Sequence, residues 1–376
     1  MKVLVVNWRD IFHPEAGGAE VHIHELLKRK PPDWEVDFLS ARFHGCQTLE
    51  KTPWYTIYRL FSNFFLNFSF FWWWQTQGKQ KSYDLVIDDI SKIPLATPWY
   101  IKEVPVVALM HHIHGKSLYT ILPWYLATYV FLMERFFLRA YVRTPLLAVS
   151  PSTTRELQKL YPYQKLSVVY NGVSLAPISF ETKIAEREKV PLVVYLGRLK
   201  SYKRVDHFLR MAHRIHASHP QVKFVIAGQG EEREKLEKLS KDLGLEGCVE
   251  FYGFIDEEAK QALLRRAWVM VLPSEKEGWG IVVIEANALG TPVVAYEIPG
   301  LKDSIQHGNT GLLVENGSIE ALVKAVEKLL EESSLWEEFS KKALEWAARF
   351  HWDEMARDFY ARIGEIVEEF HGRKTL

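Results

Sequence analysis

Short β-branched runs alternate along this chain with longer stretches whose apolar positions fall three and four residues apart. The runs Val3–Val6, Val36–Leu39, Leu85–Ile87, Val106–Leu109, Leu146–Val149 and Ser167–Tyr170 predict one set of strands. After a polar break they resume at Leu192–Leu196, Lys223–Ala227, Val249–Tyr252, Val269–Leu272, Pro292–Ala295 and Gly311–Val314. Strands that are apolar nearly throughout belong in a parallel sheet covered on both faces. Amphipathic stretches at Ala19–Arg29, Val205–Ser218, Glu231–Leu243 and Ile281–Leu289 supply the crossover helices. The pattern predicts an α/β protein with two doubly wound domains in tandem. The boundary falls in Asn171–Val190, which opens Asn-Gly, holds Pro177 and lacks apolar periodicity. The tail from Ile319 to His371 reads as helical throughout.

A length of 376 residues suits two domains, each with its own core. Val3–Val6 is too brief for a signal peptide. No uncharged apolar run reaches the roughly 20 residues that span a bilayer. Cys46 and Cys248 form neither a disulfide framework nor a CxxC, which fits a reducing, cytoplasmic setting. The 47 basic residues equal the 47 acidic ones, which argues against a general nucleic-acid binder. That balance hides an asymmetry, because residues 1–176 carry 19 basic and 14 acidic residues and the remainder the opposite excess.

Aromatic residues are also uneven. Of the 50 Trp, Tyr and Phe residues, twelve fall in 54–74 and eight in 119–141. Read as one helix, 54–74 places Tyr55, Tyr58, Phe65 and Trp72 on one face while the opposite face is aromatic too. Two readings stand. The rings form an aromatic core on the first sheet, or they form an interfacial surface on an anionic membrane.

The chemistry concentrates after Val269–Leu272. There Glu277-Gly278-Trp279-Gly280-Ile281 leads into a helix carrying Glu285. Free N–H groups at a helix start favour a phosphate, and open α/β sheets bind ligands beyond the carboxyl ends of their strands. Carboxylates accept paired, charge-assisted hydrogen bonds from sugar hydroxyls.

The block Pro273-Ser274, Glu277-Gly278-Trp279-Gly280, Glu285-Ala286, Gly290-Thr291-Pro292 and Gly300 resembles the retaining glycosyltransferases of family 4. Gly197-Arg198-Leu199 with Lys203-Arg204, Gly17-Gly18-Ala19-Glu20, Ser150 and Tyr170-Asn171-Gly172-Val173 extend the resemblance over nearly the whole chain. It implies the GT-B fold, with two Rossmann-like domains facing a central cleft. Residues 1–176 would bind acceptor and 177–352 a nucleotide-sugar, with a helix over about 353–376 returning to the first domain.

The resemblance also implies roles. Glu285 would bind the ribose, Glu277 the donor sugar, and Gly278, Trp279, Gly280 and Ile281 would offer backbone N–H groups. Arg198 and Lys203 would neutralise the leaving diphosphate. Gly17 and Gly18 form a facing phosphate loop, for which glycine allows a positive φ and close approach. His111 would face the donor sugar. Gly228 marks a turn at the nucleotide pocket, and Phe254 contacts the base.

No cofactor or metal is expected, and no Asp-x-Asp tripeptide occurs. Asp88-Asp89 reads as structural or acceptor-side. In His111-His112-Ile113-His114, strand alternation separates His112 from the other two, against a metal cluster. The expected partners are a UDP- or GDP-sugar, a saccharide or polyprenyl-linked acceptor, and an anionic membrane at the inner face of the cell membrane. A GT-B-like nucleotide-sugar epimerase and a non-catalytic nucleotide-sugar-binding module are the alternatives.

Overall fold

The apolar runs become two separate sheets. The computed structural model describes residues 1–61, 66–120, 122–175 and 178–374. By internal packing the chain divides into unit 1, residues 1–172 with 352–376, and unit 2, residues 173–351.

Unit 1 runs β1 (Lys2–Val6), α1 (Gly18–Lys28), β2 (Glu35–Ala41), β3 (Leu49–Lys51), β4 (Thr56–Phe61) and α2 (Leu66–Thr76). It continues with β5 (Leu85–Ile90), β6 (Val106–Met110), α3 (Trp124–Leu138), β7 (Leu146–Ala148), α4 (Pro151–Leu160) and β8 (Leu166–Val168). The strands form one sheet in the order β3-β4-β2-β1-β5-β6-β7-β8. All pairs are parallel except β3 with β4. Strand order reverses direction between β1 and β5.

Unit 2 opens with α5 (Phe180–Glu186), β9 (Leu192–Leu196), α6 (Val205–Ser218), β10 (Lys223–Ala227), α7 (Arg233–Asp242) and β11 (Val249–Gly253). Then follow α8 (Glu257–Arg266), β12 (Val269–Leu272), α9 (Ile281–Ala288), β13 (Val293–Tyr296), α10 (Leu301–Ser304), β14 (Gly311–Val314), α11 (Ile319–Glu331) and α12 (Ser333–Ala347). Its all-parallel sheet has the order β11-β10-β9-β12-β13-β14, with the reversal between β9 and β12.

The last helix, α13 (Trp352–Lys374), belongs to unit 1. Its Trp352, Ala356, Phe359 and Ile363 are buried with Ile23, Leu26 and Leu27 of α1 and with strand residues of β1, β5 and β6. Gly172 permits this return, since a Cβ there would lie 2.8 Å from the Trp352 backbone.

Two sequence expectations change, and the sequence leaves a third point open. Segment 54–74 is not one helix. Tyr55 is buried beside β4, where Ile57 alternates inward, and α2 starts only at Leu66. Phe64 and Phe65 lie outside the described residues. Part of this aromatic density is core: Phe70, Trp73 and Trp74 pack under the sheet with Leu66 and Tyr83, whereas Trp54, Tyr58 and Phe71 are half-buried and Phe68 and Trp72 are exposed. Second, the boundary segment, part of which (176–177, with Pro177) lies outside the described residues, contains α5. Lys183 on α5 is fully buried, and its Nζ donates to the carbonyls of Leu264 (3.0 Å), Arg265 (2.8 Å) and Ala267 (2.8 Å) and to Thr291 Oγ1 (2.6 Å). The side chain thereby caps the C-terminus of α8, and burial holds its pKa well below the usual lysine value. Third, α3 exposes Trp124, Tyr125, Tyr129 and Phe136 while Phe131 and Phe137 are half-buried, and only its Ala127, Glu134 and Leu138 are buried.

Candidate active site

In unit 2 the reversal between β9 and β12 splits the crossovers to opposite sides and opens a crevice at the carboxyl ends of those strands. Arg198 and Lys203 follow β9, and Glu277 through Ile281 follow β12. The two loops are stitched together. Lys203 donates to the carboxylate of Glu277 in a mostly buried pair. Arg204, held at φ 50°, pairs with Glu275, and the Glu275 N–H donates to the Tyr202 carbonyl at 2.8 Å. Arg198 donates to the Tyr202 hydroxyl at 3.1 Å, and buried Tyr195 donates to the Arg198 carbonyl at 2.9 Å.

Glycines set these loops by close approach. A Cβ on Gly228 would sit 1.8 Å from the Gly197 carbonyl oxygen, and one on Gly230 would sit 2.1 Å from that of Leu199. The loops after β9 and β10 are zipped by bonds from Gly197 to Ala227 and from Leu199 to Gln229. Gly300 lies against the Glu277–Gly278 backbone, where a Cβ would come within 2.4 Å of the Glu277 carbonyl oxygen. Gly280 takes φ 82° as the N-cap of α9, which an L side chain adopts only under strain. Ile281 is therefore the first helical residue, and Gly278 lies in the loop ahead of the cap. Trp279 turns its ring inward, 2% exposed, against Phe350 at 5.3 Å.

Glu285 projects from α9 with 14% of its side chain exposed. Burial pushes its carboxyl pKa up, and the ammonium of Lys260, 2.6 Å away, opposes that shift. Lys260 also pairs with Glu257 at 2.8 Å, and its own pKa is raised although burial works against it. Phe254 follows β11 and is 75% exposed.

The corresponding reversal in unit 1 lies between β1 and β5. Asn7, just past β1, donates to Asp89 on β5, and Asp89 meets His111 Nε2 at 2.7 Å. His111 lies edge-on to buried His22 of α1 at 5.3 Å, and His22 stacks on Trp352 at 5.6 Å. Asp88 points to the opposite face and accepts from Thr97 and Tyr141. Burial raises its pKa to about 6, which those two hydrogen bonds resist. The pair is thus split between a packing role at Asp88 and a polar network at Asp89.

Gly17 departs from the positive φ expected of it. It is extended at φ −146°, and Gly18 is the first residue of α1. The Gly17 N–H donates to Glu20 at 2.7 Å, so glycine serves here as a helix cap. The histidine grouping also differs. β6 ends at Met110, so strand alternation no longer governs residues 111–114. His112 and His114 come together at 3.2 Å, and His111 is drawn away to Asp89. Among the described residues no group of three or more His, Cys, Asp or Glu is placed to hold a metal.

Two family profiles match this chain. Residues 16–176 match Glycosyltransferase Family 4, and residues 179–346 match Glycosyl transferases group 1. The chain belongs to these glycosyltransferases. An uncharacterized glycosyltransferase of Methanocaldococcus jannaschii is 29% identical over 252 residues, 63% of this chain and 64% of that relative. The chain therefore spans somewhat less than two thirds of that curated relative's length. The sucrose-phosphate synthase of Thermosynechococcus elongatus superposes with TM-score 0.81 over 99% of both chains at 20% identity. HepE of Anabaena, solved in complex with UDP and glucose, gives TM-score 0.74 at 18% identity, covering 97% of this chain and 100% of its own. At such identities these structures establish the fold, GT-B, with its two Rossmann-like units.

Sequence reasoning missed several of the groups around these sites. Lys260, Tyr202, Glu275, Asn7 and His22 carry no motif. Lys260 could be read only as an i,i+3 partner of Glu257 on α8, and its approach to Glu285 depends on how α8 and α9 pack.

Proposed function

We propose that the chain transfers a glycosyl group from a UDP- or GDP-sugar to a saccharide or lipid-linked acceptor with retention of anomeric configuration. The observation that carries this reading is the stitching of the β9 and β12 loops at the strand-order reversal. It brings Arg198, Lys203, Glu277 and the start of α9 into one crevice. Glu285 binds the ribose hydroxyls and Glu277 the donor sugar. As the bond from the anomeric carbon to the diphosphate oxygen breaks, Arg198, Lys203 and the N–H groups at the start of α9 stabilise the charge that develops on the leaving group. The acceptor hydroxyl attacks from the face the diphosphate leaves and gives its proton to the departing diphosphate oxygen, so no enzymic nucleophile is required and Glu277 positions the sugar. His111, with Gly17 and Gly18, serves the same reaction from unit 1, and Gly228 and Phe254 border the nucleotide.

Acceptor-dependent release of nucleotide diphosphate separates this reading from its alternatives. An epimerase converts donor without acceptor, and a binding module releases no diphosphate. Glu285→Ala is expected to weaken nucleotide binding at least tenfold by calorimetry, and unchanged affinity would remove the ribose assignment. Arg198→Ala is expected to act mainly on turnover.

The acceptor reading extends to an anionic membrane. Tyr125, Tyr129, Leu132 and Phe136 make one exposed stripe along α3, with Arg135 beside it. The helix's single acid, Glu134, turns inward and accepts from the His114 and Gly115 N–H groups at 2.7 and 2.9 Å. An aromatic face with basic and no acidic neighbours on its helix suits an interfacial position. No helix among the described residues is long and apolar enough to cross a membrane.

A further inference from the structure

A second recess of unit 1 lies away from the strand-order reversal. It is a cavity of about 460 Å³. Its walls come from the residues that lead into β6, β7 and β8, including Pro105, Pro145 and Lys165, so it opens at the amino ends of these strands. His111 follows the carboxyl end of β6, about 16 Å away along a five-residue strand. The recess is therefore separate from the groups assigned above to glycosyl transfer.

Its lining combines cationic and aromatic residues. Lys102, Arg139, Arg143 and Lys165 contribute four positive charges, and Glu369 is the only acid of the lining among the described residues. Lys165 pairs with Glu369. Lys102 donates to the Pro98 carbonyl. Arg139 lies over the Tyr161 ring and donates to its hydroxyl through Nε at 3.3 Å, which leaves both terminal nitrogens without an acceptor among the described residues. Arg143 is exposed and has no ion pair or hydrogen bond among the described residues.

The aromatic residues of the lining are Trp99 and Phe370. Trp99 is half exposed and packs on Phe136 and Phe137 of α3 at 5.5 and 5.9 Å. Phe136 ends the exposed stripe of α3, so the cavity is continuous with that stripe. Guanidinium groups present forked donors that match phosphate oxygens. A ligand that places a phosphodiester against Arg139 and Arg143 and acyl chains along the α3 stripe has the chemistry of an anionic phospholipid.

We propose that this cavity is a binding site for the phosphodiester headgroup of an anionic phospholipid, which fixes unit 1 on a bilayer through a site remote from the sugar-transfer chemistry. The inference rests on the membrane-facing reading of α3. The test is flotation of the full chain with phosphatidylcholine vesicles, with and without 30 mol% phosphatidylglycerol, at about 0.1 M salt. Three variants are compared with wild type: Arg139→Ala/Arg143→Ala in the cavity, Lys238→Ala/Lys241→Ala as an equal charge loss from the exposed face of α7, and Tyr125→Ser/Tyr129→Ser on the stripe. Unchanged thermal transitions and donor-nucleotide binding establish that the variants are folded.

The expected result is partitioning of wild type onto the anionic vesicles. The cavity variant loses it about tenfold or more, and the α7 variant stays within twofold. Equal losses in the cavity and α7 variants, or a cavity variant that floats like wild type, would overturn the inference. So would stabilisation of wild type but not of the cavity variant by inorganic phosphate with vesicle binding intact, which would mark a site for free phosphate. If the stripe variant alone is released, the membrane reading stands and the headgroup site falls. If wild type binds no vesicles, both fall.

Discussion

His22 lies on α1 with both ring nitrogens inside the core of unit 1 and no hydrogen-bond partner for either among the described residues. Burial, reinforced by neighbouring His111, holds its pKa well below the usual histidine value. The unfolded chain takes up this proton near pH 6.5, and the folded chain does so only at lower pH. The stability held above that value is therefore lost as pH falls through 6.5 toward the folded-state pKa, by at most about 1.4 kcal/mol per pH unit. Asp88 acts in the opposite sense. Its folded-state pKa of about 6 favours the protonated form, a contribution present at acid pH and lost as pH rises from 3.8 toward 6. Urea denaturation of wild type and His22→Leu between pH 5 and 7.5 isolates the histidine: the difference in their pH slopes should appear below 6.5, and identical slopes would refute the assignment. Individual candidate residues such as Glu277 and Glu285 stand out in the sequence because motif and position mark them. Their ammonium partners are not. Lys203 and Glu277 stand 74 positions apart, and only the pairing of β9 with β12 brings them together.

At the scale of elements, apolar runs sandwiched between helices are closely legible, and the periodicity over Val205–Ser218 matches α6 as found. The failure at β4 has a physical cause. Tyr55, Tyr58 and the tryptophans of α2 form one aromatic block in sequence, so the period-2 signal of a short strand is masked by the residues on either side. The consequence can be measured on neighbouring tryptophans. Trp73 is 6% exposed within the core and Trp72 is 53% exposed. Trp73→Ala is expected to cost about 3–5 kcal/mol in chemical denaturation, whereas Trp72→Ala should stay within about 0.5 kcal/mol. Comparable losses at both positions would contradict the placement of α2.

For the whole molecule, two tandem parallel-sheet units follow from the alternation of strands and helices, and the return of the last helix follows from family resemblance. Its docking partners are not legible, because α13 and α1 lie more than 300 residues apart. Phe359 is fully buried among α1 and strand residues of unit 1. Phe359→Ala should destabilise unit 1 by about 3–5 kcal/mol while nucleotide binding, assigned to unit 2, survives. Denaturation followed with and without nucleotide would then resolve two transitions, with only the one that nucleotide does not shift moving to lower urea. Loss of both together would show that the units unfold as one.

That returning helix also governs the order in which the protein can be completed during synthesis. Every strand of unit 1 leaves the ribosome before any strand of unit 2, yet the hydrophobic face of α1 waits for Trp352, Phe359 and Ile363. Unit 2, continuous from 173 to 351, has its full sequence first. The half made earliest is thus the half finished last, and for the time taken to translate about 180 residues, on the order of 10–40 s at 5–20 residues per second, it presents an uncovered apolar groove to chaperones or to other nascent chains.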